Sequence, residues 1–239
     1  MSPRRFWLTG ASDGIGAALA TQLLDQGMQL AVSGGNAGHH AALMQRYPGQ
    51  VLSLSGNLSE HDAAQRACDQ IASTWGSLDA VILNAGTCDY LQDRTLDENV
   101  IMRVVQSNQL ASTHCTEFAQ DLLKTGQQPH LVAIVSSISA LPLATSDFTT
   151  HHTRLLDMFE ARREALAQAG IALTVVGPGV ADVGTSLTPD ALLPKAWTPE
   201  DAARHVLENM QQVPAHIQLP TFSVDTLWPL PGPTPAAFT

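Results

Sequence analysis

Tyrosine and lysine are both scarce in this chain of 239 residues: there are two of each, Tyr47, Tyr90, Lys124 and Lys195. Any chemistry that needs a phenol beside an amine has only those four positions to draw on. Cysteine is sparse as well. Cys68, Cys88 and Cys115 include no CxxC pair, do not resemble a zinc site, and are expected as reduced thiols of a cytoplasmic protein. Positive charge is short, with 12 Lys and Arg against 22 Asp and Glu for a net charge of −10, which excludes a nucleic-acid or anionic-membrane binder that would need a basic face. No apolar run approaches the ~18 residues of a membrane span. The segment Met1-Ser2-Pro3-Arg4-Arg5 lacks the apolar stretch of ~7–15 residues expected of a signal peptide. What is abundant is apolar residue, 44% of the chain, enough for the core of one domain of ordinary to large size.

Short apolar runs alternate with longer helical patterns. Strands are expected at Phe6–Leu8, Gln29–Val32, Val51–Leu54, Ala80–Leu83, Leu131–Val135 and Ile171–Val176. Between them, helices are expected at Ile15–Leu24, Ala41–Tyr47, Glu60–Trp75 with Ser59 as N-cap, Leu96–Gln106, Ser112–Leu123 and His151–Gln168. A last helix, Pro199–Met210, has Thr198 as its N-cap. Strands apolar on both faces and separated by helices indicate a parallel sheet covered on both sides, a doubly wound α/β domain of Rossmann type. It is expected to be a single domain over residues 1–219. Residues 220–239, crowded with Pro220, Pro229, Pro231, Pro233 and Pro235, form either a floppy tail or an ordered arm, since Phe222, Leu227, Trp228 and Leu230 are poor choices for a solvated end.

The first chemical signal is Thr9-Gly10-Ala11-Ser12-Asp13-Gly14-Ile15-Gly16, between the first strand and the first helix. Glycines there let the backbone approach a pyrophosphate closely, and the helix N-terminus offers free N–H groups and a positive dipole to its phosphates. With Asn84-Ala85-Gly86 after the fourth strand, Ser136-Ser137 after the fifth and Pro178-Gly179 after the sixth, this turn makes the chain resemble the short-chain dehydrogenase/reductase family over about 200 residues.

That resemblance implies hydride transfer between a nicotinamide dinucleotide and a small carbonyl or alcohol. It also implies an Asn, a Ser, a Tyr and a Lys as catalytic groups, the tyrosine being general acid/base with its acidity raised by the lysine. Asn108 matches the asparagine and Ser137 the serine. Thirteen residues after Ser137, where the tyrosine belongs, stands Thr150, and four further on, where the lysine belongs, stands Arg154. An aliphatic hydroxyl cannot be tuned toward working pH as a phenol of pKa about 10 can. Arginine stays charged, and Arg154 suits ribose holding better than the whole lysine role. A one-residue slip would put His151 at the tyrosine position, and a histidine titrating near ~6.5 can act as an acid. The alternative for His151 and His152 is two polar residues near a helix start. Tyr90 follows Asn84-Ala85-Gly86 but has no lysine four residues on.

The cofactor contacts implied by the resemblance are Gly10, Ser12, Asp13, Gly14, Ile15, Gly16, Asn57, Leu58, Asn84, Ala85, Gly86, Arg154, Pro178 and Gly179, with no metal. NADP or NAD is expected, bound weakly or without selectivity. Strand two is followed by Ser33-Gly34-Gly35-Asn36, which has neither a basic partner for a 2′-phosphate nor a carboxylate for ribose hydroxyls. Asp13 would repel a phosphate, and Asn57 stands where the family contacts adenine with Asp. The family also implies a homodimer or homotetramer through the helices at Ser112–Leu123 and His151–Gln168, where Met158 and Phe159 suit an interface or a monomer core equally. Arg162-Arg163 reads as a solvated face, and Cys88 and Cys115 as small core residues. Two functions follow: an oxidoreductase with an altered proton donor, or a non-catalytic relative that binds a nucleotide or a partner protein.

Overall fold

The computed structural model describes residues 3–34, 37–85, 98–135, 155–178 and 198–219, with backbone alone for 85, 98–104 and 178. The elements in chain order are β1 (Arg5–Thr9), α1 (Gly14–Asp25), β2 (Gln29–Ser33), α2 (Ala37–Arg46), β3 (Val51–Leu54), α3 (His61–Trp75) and β4 (Ala80–Ala85). They continue with α4 (Glu98–Lys124), β5 (His130–Val135), α5 (Leu155–Gln168), β6 (Ala172–Pro178), α6 (Pro199–Met210) and β7 (His216–Leu219). Among the described residues the strands form one sheet of seven in the order β3-β2-β1-β4-β5-β6-β7, parallel throughout. The chain is thus a doubly wound, Rossmann-type domain.

Period-two alternation builds both cores. Phe6, Leu8, Leu30, Val32, Ile82, Val132, Ile134 and Val176 point to one face, where α1, α2 and α6 cover them. Trp7, Ala31, Val81, Leu83, Leu131, Ala133, Val135 and Val175 point to the other, under α3, α4 and α5. Each apolar run therefore feeds two layers, which is why it is apolar without interruption. Met158 and Phe159 are buried in the second layer, Met158 accepting a hydrogen bond from Thr113 Oγ1 at 3.2 Å. They belong to this chain's own core. Cys68 and Cys115 lie there too, and burial pushes the Cys68 thiol up to about 12 and the Cys115 thiol well above its usual range. Cys88 is outside the described residues.

Several boundaries differ from expectation. The two helices expected at Leu96–Gln106 and Ser112–Leu123 are one continuous α4. Helix α4 carries Asn108, Ser112 and Thr116 on one buried face four residues apart, and Thr116 Oγ1 donates to the Ser112 carbonyl at 2.6 Å. Ser59 does not cap α3. Its amide and hydroxyl both donate to Asn57 Oδ1, at 3.1 and 2.9 Å, and Glu60 takes the N-cap position without a side-chain bond. Thr198 does cap α6, its Oγ1 accepting from the Asp201 amide at 3.1 Å. Helix α2 starts earlier than expected, at Ala37. Strand β7 was not foreseen: it holds only Ile217 and Leu219 as buried apolar residues, alternating with exposed His216 and Gln218 as a sheet edge allows. The start of α5 before Leu155 and the proline-rich residues 220–239 lie outside the described residues.

Arg163 is not on a solvated face. Its guanidinium donates to the Leu173 carbonyl at 2.6 Å, to the Ala215 carbonyl at 3.2 Å and to both oxygens of Glu160 at 2.8 Å, tying α5 to β6 and to the entrance of β7.

Candidate functional site

In the order β3-β2-β1-β4, the chain first moves outward from β1 and then returns to place β4 on β1's other side. The crevice beyond the carboxyl ends of β1 and β4 is the topological switch point of such a sheet. Thr9-Gly10 and Asn84-Ala85 meet there. The Asn84 amide donates to Thr9 Oγ1 at 3.0 Å, and its side-chain Nδ2 donates to the Gly10 carbonyl at 2.9 Å.

The glycines are fixed by close approach. Gly10 has φ +62°, and a Cβ there would stand 2.8 Å from the Asn84 carbonyl oxygen. A Cβ on Gly16 would stand 1.8 Å from the Gly10 carbonyl oxygen and 2.7 Å from Asn84 Nδ2. No side chain fits either contact, so Gly10, Gly16 and Asn84 interlock and hold the turn against α1. Helix α1 starts after Asp13, whose backbone is extended and whose carboxylate makes no capping bond; the Asp13 carbonyl accepts from the Ala17 amide at 3.0 Å. The first-turn amides of Gly14, Ile15 and Gly16 precede any intrahelical partner, and no acid occupies that turn. The helix therefore directs N–H groups and positive potential into the crevice. The side chain of Ile15 is wholly buried, so only its amide serves the site.

The end of β2 joins the same construction. Gly10 N donates to the Ser33 carbonyl at 2.9 Å, Ser12 Oγ donates to the Gly34 carbonyl at 3.1 Å, and Trp7 Nε1 donates to Ser33 Oγ at 2.9 Å. Thr9, Ser33 and Gly34 stand in the segments that the sequence assigned to the nucleotide, but their hydrogen bonds to Asn84, Gly10, Trp7 and Ser12 were not foreseen. The hydroxyl of Thr9 acts across 75 positions of sequence, which no local pattern reveals.

Asn57 is exposed just beyond β3, and the Oδ1 expected to accept from an adenine amino group already accepts two hydrogen bonds from Ser59. Asn57 thus shapes its own turn. Leu58 is buried in the second core, its carbonyl facing His114 Nδ1 at 3.3 Å. Asn108 is buried on α4. Pro178 ends β6, paired in register with Leu219 of β7. Gly86, Ser137, Thr150, His151, His152, Arg154 and Gly179 lie outside the described residues, as do Tyr90 and Lys195. Tyr47 and Lys124 are removed from the crevice. Tyr47 is buried behind α2 with its hydroxyl donating to Asp25, and Lys124 ends α4 paired with Asp121 at 2.9 Å.

A pyrophosphate fits these residues. The cradle is made where Cβ atoms are forbidden, unpaired amides converge on it, and Asn84 Oδ1 is buried beside it with no hydrogen-bond partner. Among the described residues no group of three or more His, Cys, Asp or Glu could hold a metal ion, and no helix is long and apolar enough to cross a membrane.

A family model described as short chain dehydrogenase matches residues 5–191. An L-rhamnose 1-dehydrogenase (NAD(P)(+)) of Azotobacter vinelandii is 26% identical over 183 residues, 72% of this chain and 71% of that protein. A 3-phenylpropionate-dihydrodiol/cinnamic acid-dihydrodiol dehydrogenase of Escherichia coli is 37% identical over 84 residues, 35% of this chain and 31% of that protein. Among solved structures, a metagenomic short-chain oxidoreductase in complex with NADP superposes with a TM-score of 0.70 at 20% identity, covering 92% of this chain and 97% of that one. A short-chain dehydrogenase from Streptomyces avermitilis superposes with a TM-score of 0.71 at 18% identity, covering 95% of this chain and 92% of that one. At such identities the structural likeness establishes the fold, and the family match establishes descent.

Proposed function

The chain belongs to the short-chain dehydrogenase family of NAD(P)-binding oxidoreductases, and from that premise we propose that it binds a nicotinamide dinucleotide and interconverts a small carbonyl and its alcohol with a non-standard proton donor. The observation that carries this reading is the interlock of Gly10, Gly16 and Asn84, which leaves the first-turn amides of α1 open beside a turn no other residue could form. The amides of Gly14, Ile15 and Gly16 hold the pyrophosphate, with Gly10, Ser12, Ala85, Gly86, Pro178 and Gly179 lining its path. When bound in reduced form, the nicotinamide supplies a hydride to the carbonyl carbon. Ser137 orients the carbonyl oxygen by a hydrogen bond, and Asn108, buried on α4, takes the family's asparagine role. Arg154 holds ribose hydroxyls through its fixed fork of donors. The proton reaches the nascent alkoxide from His151, His152 or a water, since Thr150 has no acidity in the useful range. Binding is weak, because Asp13 opposes phosphate charge and Asn57 Oδ1 is already engaged by Ser59.

Residues 1–219 act as the nucleotide-binding domain, with 220–239 as an arm or tail. The chain works as a cytoplasmic homodimer or homotetramer. Purified protein with NADH or NADPH and a panel of ketones and aldehydes tests the reading. The expected result is slow turnover that Ser137→Ala abolishes; equal turnover in that variant would sink the catalytic assignment. The double variant Thr150→Tyr/Arg154→Lys is expected to raise the rate.

A second reading, a non-catalytic relative, is favoured by one observation. The two described members of the Tyr and Lys set, Tyr47 and Lys124, are committed to Asp25 and Asp121 away from the crevice. Calorimetric binding of NADH or NADPH without turnover on any substrate, and no gain in the double variant, would favour it.

A further inference from the structure

Two histidines far apart in sequence meet where α3 packs on α4. His61 opens α3 and His114 stands within α4. Their ring centres lie 5.6 Å apart, with the planes at 80°. The ring of Phe118, one turn further along α4, packs edge-to-face on His61 at 4.9 Å. Each imidazole is held through its Nδ1. His61 Nδ1 lies 3.2 Å from Asp62 Oδ1, and His114 Nδ1 lies 3.3 Å from the Leu58 carbonyl oxygen. A carboxylate and a carbonyl oxygen only accept, so both Nδ1 atoms carry the hydrogen. In the neutral rings the lone pair then belongs to Nε2 in both cases. Among the described residues neither Nε2 has a hydrogen-bond partner. Neither ring is sealed from water: the His61 side chain is 61% exposed and His114 is half-buried.

Ligating histidines are held in this way, with the nitrogen remote from the metal donating to a carboxylate or a main-chain carbonyl. Here one ring has the carboxylate and the other the carbonyl. The spacing selects the ion. An imidazole nitrogen sits about 2.0–2.1 Å from zinc, which puts each ring centre about 3.2 Å from the metal. Two rings at the tetrahedral angle then have centres about 5.2 Å apart, and two neighbouring ligands of a square-planar ion about 4.5 Å. The observed 5.6 Å is nearer the tetrahedral value. We propose that His61 and His114 bind one zinc ion through their Nε2 atoms, linking the start of α3 to α4, with water in the remaining positions. Two protein ligands make this a weaker site than the usual zinc centres, which use three or four. The inference is independent of the dinucleotide reading above.

The test uses the full chain, freed of metal with a chelator and returned to buffer, with zinc chloride and with magnesium chloride. The chain has nine histidines, so background binding is separated by comparing variants. By calorimetry, wild-type protein is expected to show a zinc site that His61→Gln and His114→Gln each weaken about tenfold or more, since loss of even an outer partner costs about that much. The double variant is expected to lose no more than either single one, because both rings serve one ion. Losses that add, or zinc binding unchanged in the single variants, would overturn the inference. Zinc, unlike magnesium, is expected to raise the melting temperature of the wild type, and to raise it less in each variant. An equal rise in all three proteins would overturn it. In the wild-type chain, zinc is expected to shift the Nε2 15N resonances of His61 and His114 in parallel while both Nδ1–H groups persist. A shift confined to one ring, or absent from both, would mark the pair as edge-to-face packing alone and overturn the inference, whatever the stability of the variants.

Discussion

Among the described residues, most polar side chains at the amino ends of the strands find partners within the protein, Arg4 Nε being buried without one, whereas the carboxyl ends leave several polar atoms uncompleted beside the crevice. Asp79, 5% exposed, accepts from the Arg5 amide and the Gln127 amide, each at 2.8 Å. The Arg5 guanidinium reaches the Trp75 carbonyl and Ser77 Oγ. His130 Nε2 lies 2.8 Å from Thr174 Oγ1, whose own hydrogen goes to the Pro214 carbonyl, so the imidazole is the donor to Thr174 and its proton sits on Nε2. Arg163 closes the same edge through Glu160, Leu173 and Ala215. Among the described residues of the opposite edge, the polar atoms left over are the first-turn amides of α1, Asn84 Oδ1, His39 Nε2 and His40 Nε2. One end of the sheet spends its side chains on holding the strands together, and the other leaves donors and acceptors for a ligand to complete. Substitutions at the amino edge should therefore change stability without affinity, and those at the carboxyl edge should change affinity.

The sharpest way to break this contrast is Gly16→Ala. Its Cβ would fall 1.8 Å from the Gly10 carbonyl oxygen, so the turn must open; we expect loss of measurable NADH and NADPH binding by calorimetry and a destabilisation of about 3 kcal/mol in urea. Retained affinity would contradict the interlock. Next comes Asp79→Ala, which strands two part-buried amides and should cost about 2–4 kcal/mol while leaving dinucleotide affinity unchanged.

A pH series then separates two groups of the amino edge. His130 is held down to about 4, first by burial and then by Arg4, so the unfolded chain binds the proton more readily. Stability is full above about 6.5, the unfolded value, and falls by about 3 kcal/mol as the pH drops toward 4. Glu160 is held down to about 2, chiefly by the hydrogen bond from Arg163 and secondarily by that from His216, so its contribution persists above about 4.5 and is lost as the pH falls toward 2. Glu160→Gln should flatten the lower window alone, by less than the His130 step, because that carboxylate is 36% exposed. A single acid transition in both proteins would show that the two groups are not independent. The smallest effect is expected at Val213, exposed before β7 with φ +52°. A β-branched residue is strained there, and Val213→Gly should raise stability by about 1 kcal/mol in a thermal melt.

The carboxyl edge was the more legible of the two in the sequence. A glycine required by close approach can be recognised from its local spacing after a strand, and Gly10, Gly14 and Gly16 stand where the turn needs them. Six of the seven described strands, β1 to β6, were readable from their apolar runs. What escaped was whatever depends on distant partners. Arg163 looked solvated because Leu173 and Ala215, its acceptors, are close only after β6 and β7 have paired. β7 escaped because an edge strand with one buried face needs only two apolar residues. The continuity of α4 between Gln106 and Ser112 escaped, because Asn108 and Ser112 form a polar stripe whose burial depends on how the helix packs. Ser59 lost its capping role to a local competition with Asn57 that composition does not rank.

Trp7 gives the carboxyl edge an optical consequence. The indole is fully buried in the centre of the sheet, yet its N–H is bonded to Ser33, next to Gly34. Its emission is shielded from quenchers in solution while its indole N–H contact lies at the junction of β2 with the glycine-rich turn. Any ligand that shifts Gly34 changes the field on that indole, so the fluorescence of the unmodified chain should report occupancy at the adenosine end without a label.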